Sequence, residues 1–156
     1  MKKTLLTLAL SIGSLFAQGV YTAEYKATGL SSAASVVTVQ LGNVTTAKAA
    51  YMLKAAVYCS VQCEITLERD GSQATTTAIV PAATRGSAPT VSSVAYRSSN
   101  VGTGTVLARY VVTAGSTMPI DLTDVILVPQ RILENFSIRT AAITGDAIIV
   151  IKWREQ

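Results

Sequence analysis

The stretch VYCSVQCEIT, Val57 to Thr66, decides the fold, because it is either one long strand or two strands meeting at a corner. In a straight strand, residues four apart lie about 13 Å from each other at about 3.3 Å per residue. A disulfide holds its two Cα atoms roughly 4.4 to 6.8 Å apart. Cys59 and Cys63 therefore bond only if Ser60-Val61-Gln62 forms a tight turn or wide bulge between two strands. A redox-active pair usually has a two-residue spacer, and a tetrahedral metal site needs further ligands, yet the chain has no His and no third Cys. The expectation is a structural disulfide, with no metal and no cofactor.

The compartment agrees with that expectation. Met1-Lys2-Lys3 is a basic head, Thr4 to Phe16 is an uncharged apolar run, and Ala17-Gln18-Gly19 offers small residues for cleavage after Ala17 or Gly19. The run is shorter than the roughly 20 residues of a spanning helix. Residues 1–19 read as a secretory signal peptide and 20–156 as one β-sandwich domain. The product is expected to be secreted, periplasmic or on the cell surface, with no membrane attachment after the signal is removed. In such a compartment a bonded cysteine pair is the default state.

The 13 basic and 9 acidic side chains give a net charge of +4, but Lys2 and Lys3 leave with the signal, and the remaining +2 is scattered along the chain. That excludes the clustered basic field expected of a nucleic-acid binder. The apolar fraction of 49% is too high for disorder, and the load of Val, Ile and Thr favours strands.

Period-two alternation recurs from the corner outward. It marks Val37–Leu41, Tyr51–Tyr58, Glu64–Glu68, Thr105–Thr113, Asn135–Thr140 and the last strand Ala147–Trp153, while Thr90–Arg97 reads as a further strand and Met118–Thr123 and Val125–Val128 as short apolar pieces around Asp121 and Asp124. Asp70-Gly71 is a strong turn dipeptide and predicts a hairpin into Thr75–Val80. Pro81 to Pro89 reads as a loop, and no window has a helical period. The fold class is all-β, a two-sheet antiparallel sandwich of jelly-roll type with about eight or nine strands. An immunoglobulin-like sandwich is only the second choice, since its inter-sheet disulfide joins cysteines far apart in sequence around a central Trp and neither feature is here.

Candidate sites are few. Without His, catalysis would rest on carboxylates, Lys or Tyr. Glu64 and Glu68 share a strand face about 13 Å apart, beyond the roughly 5 to 9.5 Å of paired glycosidase carboxylates, and read as solvated strand residues. Asp121 and Asp124 match no dedicated calcium loop and read as turn residues. No catalytic residue is expected. Tyr51, Tyr58, Tyr96, Tyr110 and Trp153 could form a platform for stacking sugar rings, with Tyr96, Tyr110 and Trp153 the candidate ligand-stacking set; core or rim packing is the plainer reading. Asn43-Val44-Thr45 and Asn135-Phe136-Ser137 match the glycosylation triplet, a pattern short enough to recur by chance. In the last strand Ile149, Ile151 and Trp153 share the core face. Ile148 and Val150 fall on the other face, where two β-branched aliphatics call for a cover, and they form the candidate oligomer face.

Several of these stretches together resemble a known group. TVQLGNVTTAKAAYML (Thr38–Leu53), LERDG (Leu67–Gly71), SNVGTGTVLARYVVTAG (Ser99–Gly115) and AIIVIKW (Ala147–Trp153) are similar to small jelly-roll proteins of bacterial exported or phage structural type. The resemblance implies a structural or adhesive role and carries no catalytic signature. The expected function is a non-catalytic exported sandwich that acts as an assembly subunit or surface binding module, with self-association as its main partnership. A carbohydrate-binding domain with a glycan or surface ligand is the alternative, and a phage-type virion or decoration protein follows it.

Overall fold

The computed structural model describes residues 19–31, 38–42, 48–71, 77–84, 94–98, 104–128 and 134–156; of the 1–19 stretch read as a signal peptide, residues 1–18 lie outside them. Twelve strands follow in order: β1 (Gly19–Leu30), β2 (Thr38–Gly42), β3 (Ala50–Cys59), β4 (Cys63–Arg69), β5 (Thr77–Ile79), β6 (Ala82–Ala83), β7 (Val94–Ser98), β8 (Thr105–Val112), β9 (Ser116–Asp121), β10 (Ile126–Leu127), β11 (Asn135–Thr140) and β12 (Gly145–Glu155). They form two six-stranded antiparallel sheets. The first runs β10-β3-β12-β1-β6 with β9 also on β3, and the second runs β5-β7-β2-β11-β4-β8.

The pairing has one underlying logic. β1 pairs with β12, β2 with β11, β3 with β9 and β4 with β8, so the first half of the chain meets the second half in reverse order. That is one long hairpin. Rolling it up sets β12 beside β3 and β11 beside β4, which closes the two sheets over each other as a jelly roll. Eight strands make this frame, and four short ones extend it: β5 and β7 beyond β2, β6 beyond β1, and β10 on the edge of β3 past β9.

The opening stretch is two strands. Cys59 ends β3 in the first sheet, Cys63 starts β4 in the second, and their disulfide spans a Cα separation of 6.3 Å across the corner. Ser60 holds the corner to the start of β12: its N–H donates to Asp146 O at 2.8 Å, and its Oγ accepts from Asp146 N at 2.7 Å. Gly145 sits there with φ near 88°, and a Cβ at that position would collide with Ser60 Oγ, so glycine is required twice over. The β8–β9 turn stacks on the same corner through Gly115 N to Cys59 O at 2.9 Å. A loop this small stabilises by less than the roughly 3 kcal/mol expected of a 15-residue loop, so the bond chiefly fixes the crossover between sheets. At the opposite end Arg69 ties the layers together, donating to Ile126 O at 3.0 Å and pairing with the buried Glu134 carboxylate.

Between the sheets lie Val39, Leu41, Val57, Ile65, Phe136, Ile138, Ile149 and Ile151, all buried. Trp153 packs at 5.8 Å from the Tyr21 ring. Burial, and then the nearby Glu155 carboxylate, push the Tyr21 hydroxyl above the ordinary tyrosine range.

Several sequence expectations change. β1 carries alternation that the strand pattern above omits, with Tyr21, Ala23 and Ala27 inward; two alanines give weak hydrophobic contrast. No β4–β5 hairpin follows Asp70-Gly71, because β4 is flanked by β11 and β8 while β5 pairs with β7. Asp70 does turn, with φ near 56°, but the next described strand, β5, lies at the far edge of the same sheet. Part of the Pro81–Pro89 loop is strand β6, paired to β1. Residues 85–90 lie outside the described residues.

Candidate functional site

The outward face of the first sheet is the best-formed candidate surface. Alternation sends Tyr58, Ala56 and Lys54 of β3 outward, and antiparallel register sets them beside Ile148, Val150 and Lys152 of β12. On the other side of β3 the partners are Thr117, Pro119 and Asp121 of β9. The result is an apolar patch, one row of which runs Pro119–Ala56–Val150. A shallow depression of about 270 Å³ is lined by Ala56, Tyr58, Thr117, Ile148 and Val150. A second, of about 170 Å³, shares Ala56 and Val150 with it and ends at Lys54 and Lys152. Ile148 and Val150 are thus half-buried by neighbours in their own sheet. Among the described residues no segment crosses over them.

Charge rims this patch. Lys54 and Lys152 are direct cross-strand neighbours, an arrangement that costs free energy unless an anion is near. Asp121 is opposite Lys54 in β9, and its Oδ1 accepts from Thr123 N at 3.1 Å. That backbone N–H holds the Asp121 carboxyl below its ordinary range. Asp121 is therefore a turn residue, and the described residues contain no group of His, Cys, Asp or Glu able to hold a metal.

The aromatic set does not assemble. Trp153 is wholly buried between the sheets, its indole N–H donating to Glu155 at 3.3 Å, so its ring cannot stack on a ligand. Tyr110 sits opposite Ile65 on the core side of β8 and packs half-buried against the core. Tyr96 lies in β7 opposite Gln40, and its side chain is not among those described. Tyr51 is across the first sheet under Arg154, whose guanidinium carbon lies 5.5 Å from the ring centroid. Tyr58 alone of the five lines the apolar patch.

The two glutamates of β4 also part company. Glu64 is exposed and pairs with Arg109 at 3.0 Å. Glu68 is fully buried, which overturns its reading as a solvated residue: one carboxylate oxygen pairs with Arg139 and the other accepts from Gly104 N at 3.4 Å. Its neighbours on the outward side of the second sheet are buried as well, among them Gln40, Asn135 and Ser137. Asn135 accepts from Gln40 Nε2 at 2.9 Å and donates to Gly71 O at 2.8 Å, a position closed to glycosylation in the folded chain. Asn43 lies outside the described residues. Gly71 and Gly104 are the described ends of the long β4–β8 connection, and they pack so closely that a Cβ on Gly104 would strike the backbone of Arg69 and Gly71.

Ala56, Thr117 and Pro119 were not legible as site residues in the sequence. Each belongs to a different stretch or stands opposite a residue that only register identifies; the available signal was the outward pairing of Ile148 and Val150. Comparison with protein-family models, curated proteins and solved structures gives no match for this chain.

Proposed function

We propose that the protein is an exported, non-catalytic subunit that works by surface contact, assembling with further copies through the outward face of the first sheet. The observation that carries this reading is the uncovered patch of Ala56, Tyr58, Pro119, Ile148 and Val150. Burying a Val or Ile side chain is worth about 1.5 to 3 kcal/mol before the costs of association, which makes this patch a source of binding energy. Export is supported by the basic head and apolar run of the first 19 residues and by the disulfide. The lack of His and the separation of Glu64 from the buried Glu68 support a role without catalysis. The glycan-binding alternative loses its central ring with Trp153 in the core.

Native mass by light scattering, combined with electron microscopy of the mature protein, tests this reading. The wild type should run above monomer mass, and Val150→Lys should lower that mass while leaving the β circular-dichroism spectrum in place. A mass unchanged by Val150→Lys would remove this face from the assembly, and unfolding of the variant would mean that the side chain belongs to the core.

A further inference from the structure

The edges of the two sheets are unequal, and this inequality points to a second contact surface. In the first sheet one edge is β9, where Pro119 lacks a backbone N–H, together with the two-residue β10; the other is the two-residue β6 and, beyond Thr22, β1 itself, which carries the exposed Glu24 and Lys26 and a register shift between Ala27 and Leu30. In the second sheet one edge is β5, of three residues. The other is β8, eight residues of TVLARYVV with no Pro or Gly and a single charge. Val106, Leu107 and Val111 are exposed along it, Val111 at 60%. Natural edges are normally kept short, charged, bulged or interrupted by Pro, because their free N–H and C=O groups template another strand. β8 has one bulge, opposite Leu67 and Glu68 near its start, which leaves Ala108–Val112 in regular register.

We infer that β8 pairs antiparallel with the β8 of a second copy, joining the two second sheets into one continuous sheet across a two-fold axis. The occupant follows from the edge inventory: among the described residues no other edge combines the length, the regular register and the near absence of charge of β8, since the part of β1 beyond β6 carries the exposed Glu24 and Lys26, so the match for β8 in a second copy is β8 itself. The charges fit one register. Centred on Tyr110, the pair sets each Arg109 opposite a Val111, so the two arginines do not face each other, and each keeps its partner Glu64 in its own chain. At that place the monomer has a depression of about 240 Å³ lined by Glu64, Arg109, Tyr110 and Val111. This inference rests on the reading of the chain as an assembly subunit but uses a different surface from the patch around Val150.

Sedimentation of the mature protein over a concentration series, with hydrogen exchange read at the β8 amides, tests it. Val111→Lys brings a cation opposite Arg109 of the other copy, while Glu64, directly across β4, accommodates it within the chain. The expected result is loss of the β8 contact, with exchange at Ala108–Val112 becoming fast and independent of concentration and the β spectrum unchanged. Adding Arg109→Glu to Val111→Lys restores opposite charges across the axis and should restore protection. Association that persists in Val111→Lys and disappears in Val150→Lys would overturn the β8 pair and leave the proposed function standing. Association lost in Val111→Lys but untouched by Val150→Lys would support the β8 pair and remove the patch. A wild type that stays monomeric at several hundred micromolar, on the order of ordinary handling concentrations, would overturn both.

Discussion

The outward faces of the two sheets invert the usual arrangement. On the first sheet Ala56, Tyr58, Pro119, Ile148 and Val150 meet solvent, whereas on the second Gln40, Glu68, Asn135 and Ser137 are closed off from it. Alternation along a strand reports that its two faces differ. It does not report what each face meets, which depends on segments distant in sequence. Gly71 and Gly104, the described ends of the β4–β8 connection, meet the polar side of the second sheet through Asn135 and Glu68, and the first sheet has no counterpart among the described residues.

The sharpest way to break this comparison is Glu68→Ala. It leaves the Arg139 guanidinium without its carboxylate in a closed layer, and the expected loss is about 3 to 5 kcal/mol by denaturant titration. A loss below about 1 kcal/mol, the range of an exposed pair, would mean that the face is open to water after all. Asn135→Ala comes next. It removes the bonds to Gln40 and to Gly71 and should cost about 1 to 3 kcal/mol, measured in the same titration. The smallest effect is expected from Glu64→Ala, four residues before Glu68 on the same strand face. Its pair with Arg109 is exposed on both sides, so the change should stay within about 1 kcal/mol and shrink further in high salt. Equal losses for Glu64 and Glu68 would erase the distinction between an open and a closed position on one strand.

The frame of the fold was legible wherever branched aliphatics alternate strongly. β12 shows Ile149 and Ile151 against Ile148 and Val150, and the β3–β4 corner follows from the reach of a disulfide. Legibility failed where contrast was low or the deciding contact was remote. β1 turns Ala23 and Ala27 inward, so its alternation is between small and polar residues. The Asp70-Gly71 signal marks a real turn, but a turn dipeptide says nothing about which strand comes next to β4. For the candidate surface, half of the information lay in β12 itself. The other half lay in Thr117 and Pro119, which enter only through the register of β9 on β3. Glu68 looks fit for the surface in the sequence yet is enclosed by its pair with Arg139, whereas Trp153 follows the core-face alternation of β12 and is enclosed beside Tyr21.

The pairing of the first strand with the last has a consequence for how the molecule comes into being. β12 is an interior strand of its sheet, between β1 and β3, and apart from the two-residue β6 it is the sole neighbour of β1 among the described strands. A chain delivered N-terminus first therefore holds β1 without its main partner until the final residues arrive. Topologies dominated by such remote contacts fold slowly, over milliseconds to seconds in two-state examples. An unpaired strand in the interim is exposed to aggregation. In a chain that emerges N-terminus first, the eleven residues of β12 are a latch closed last.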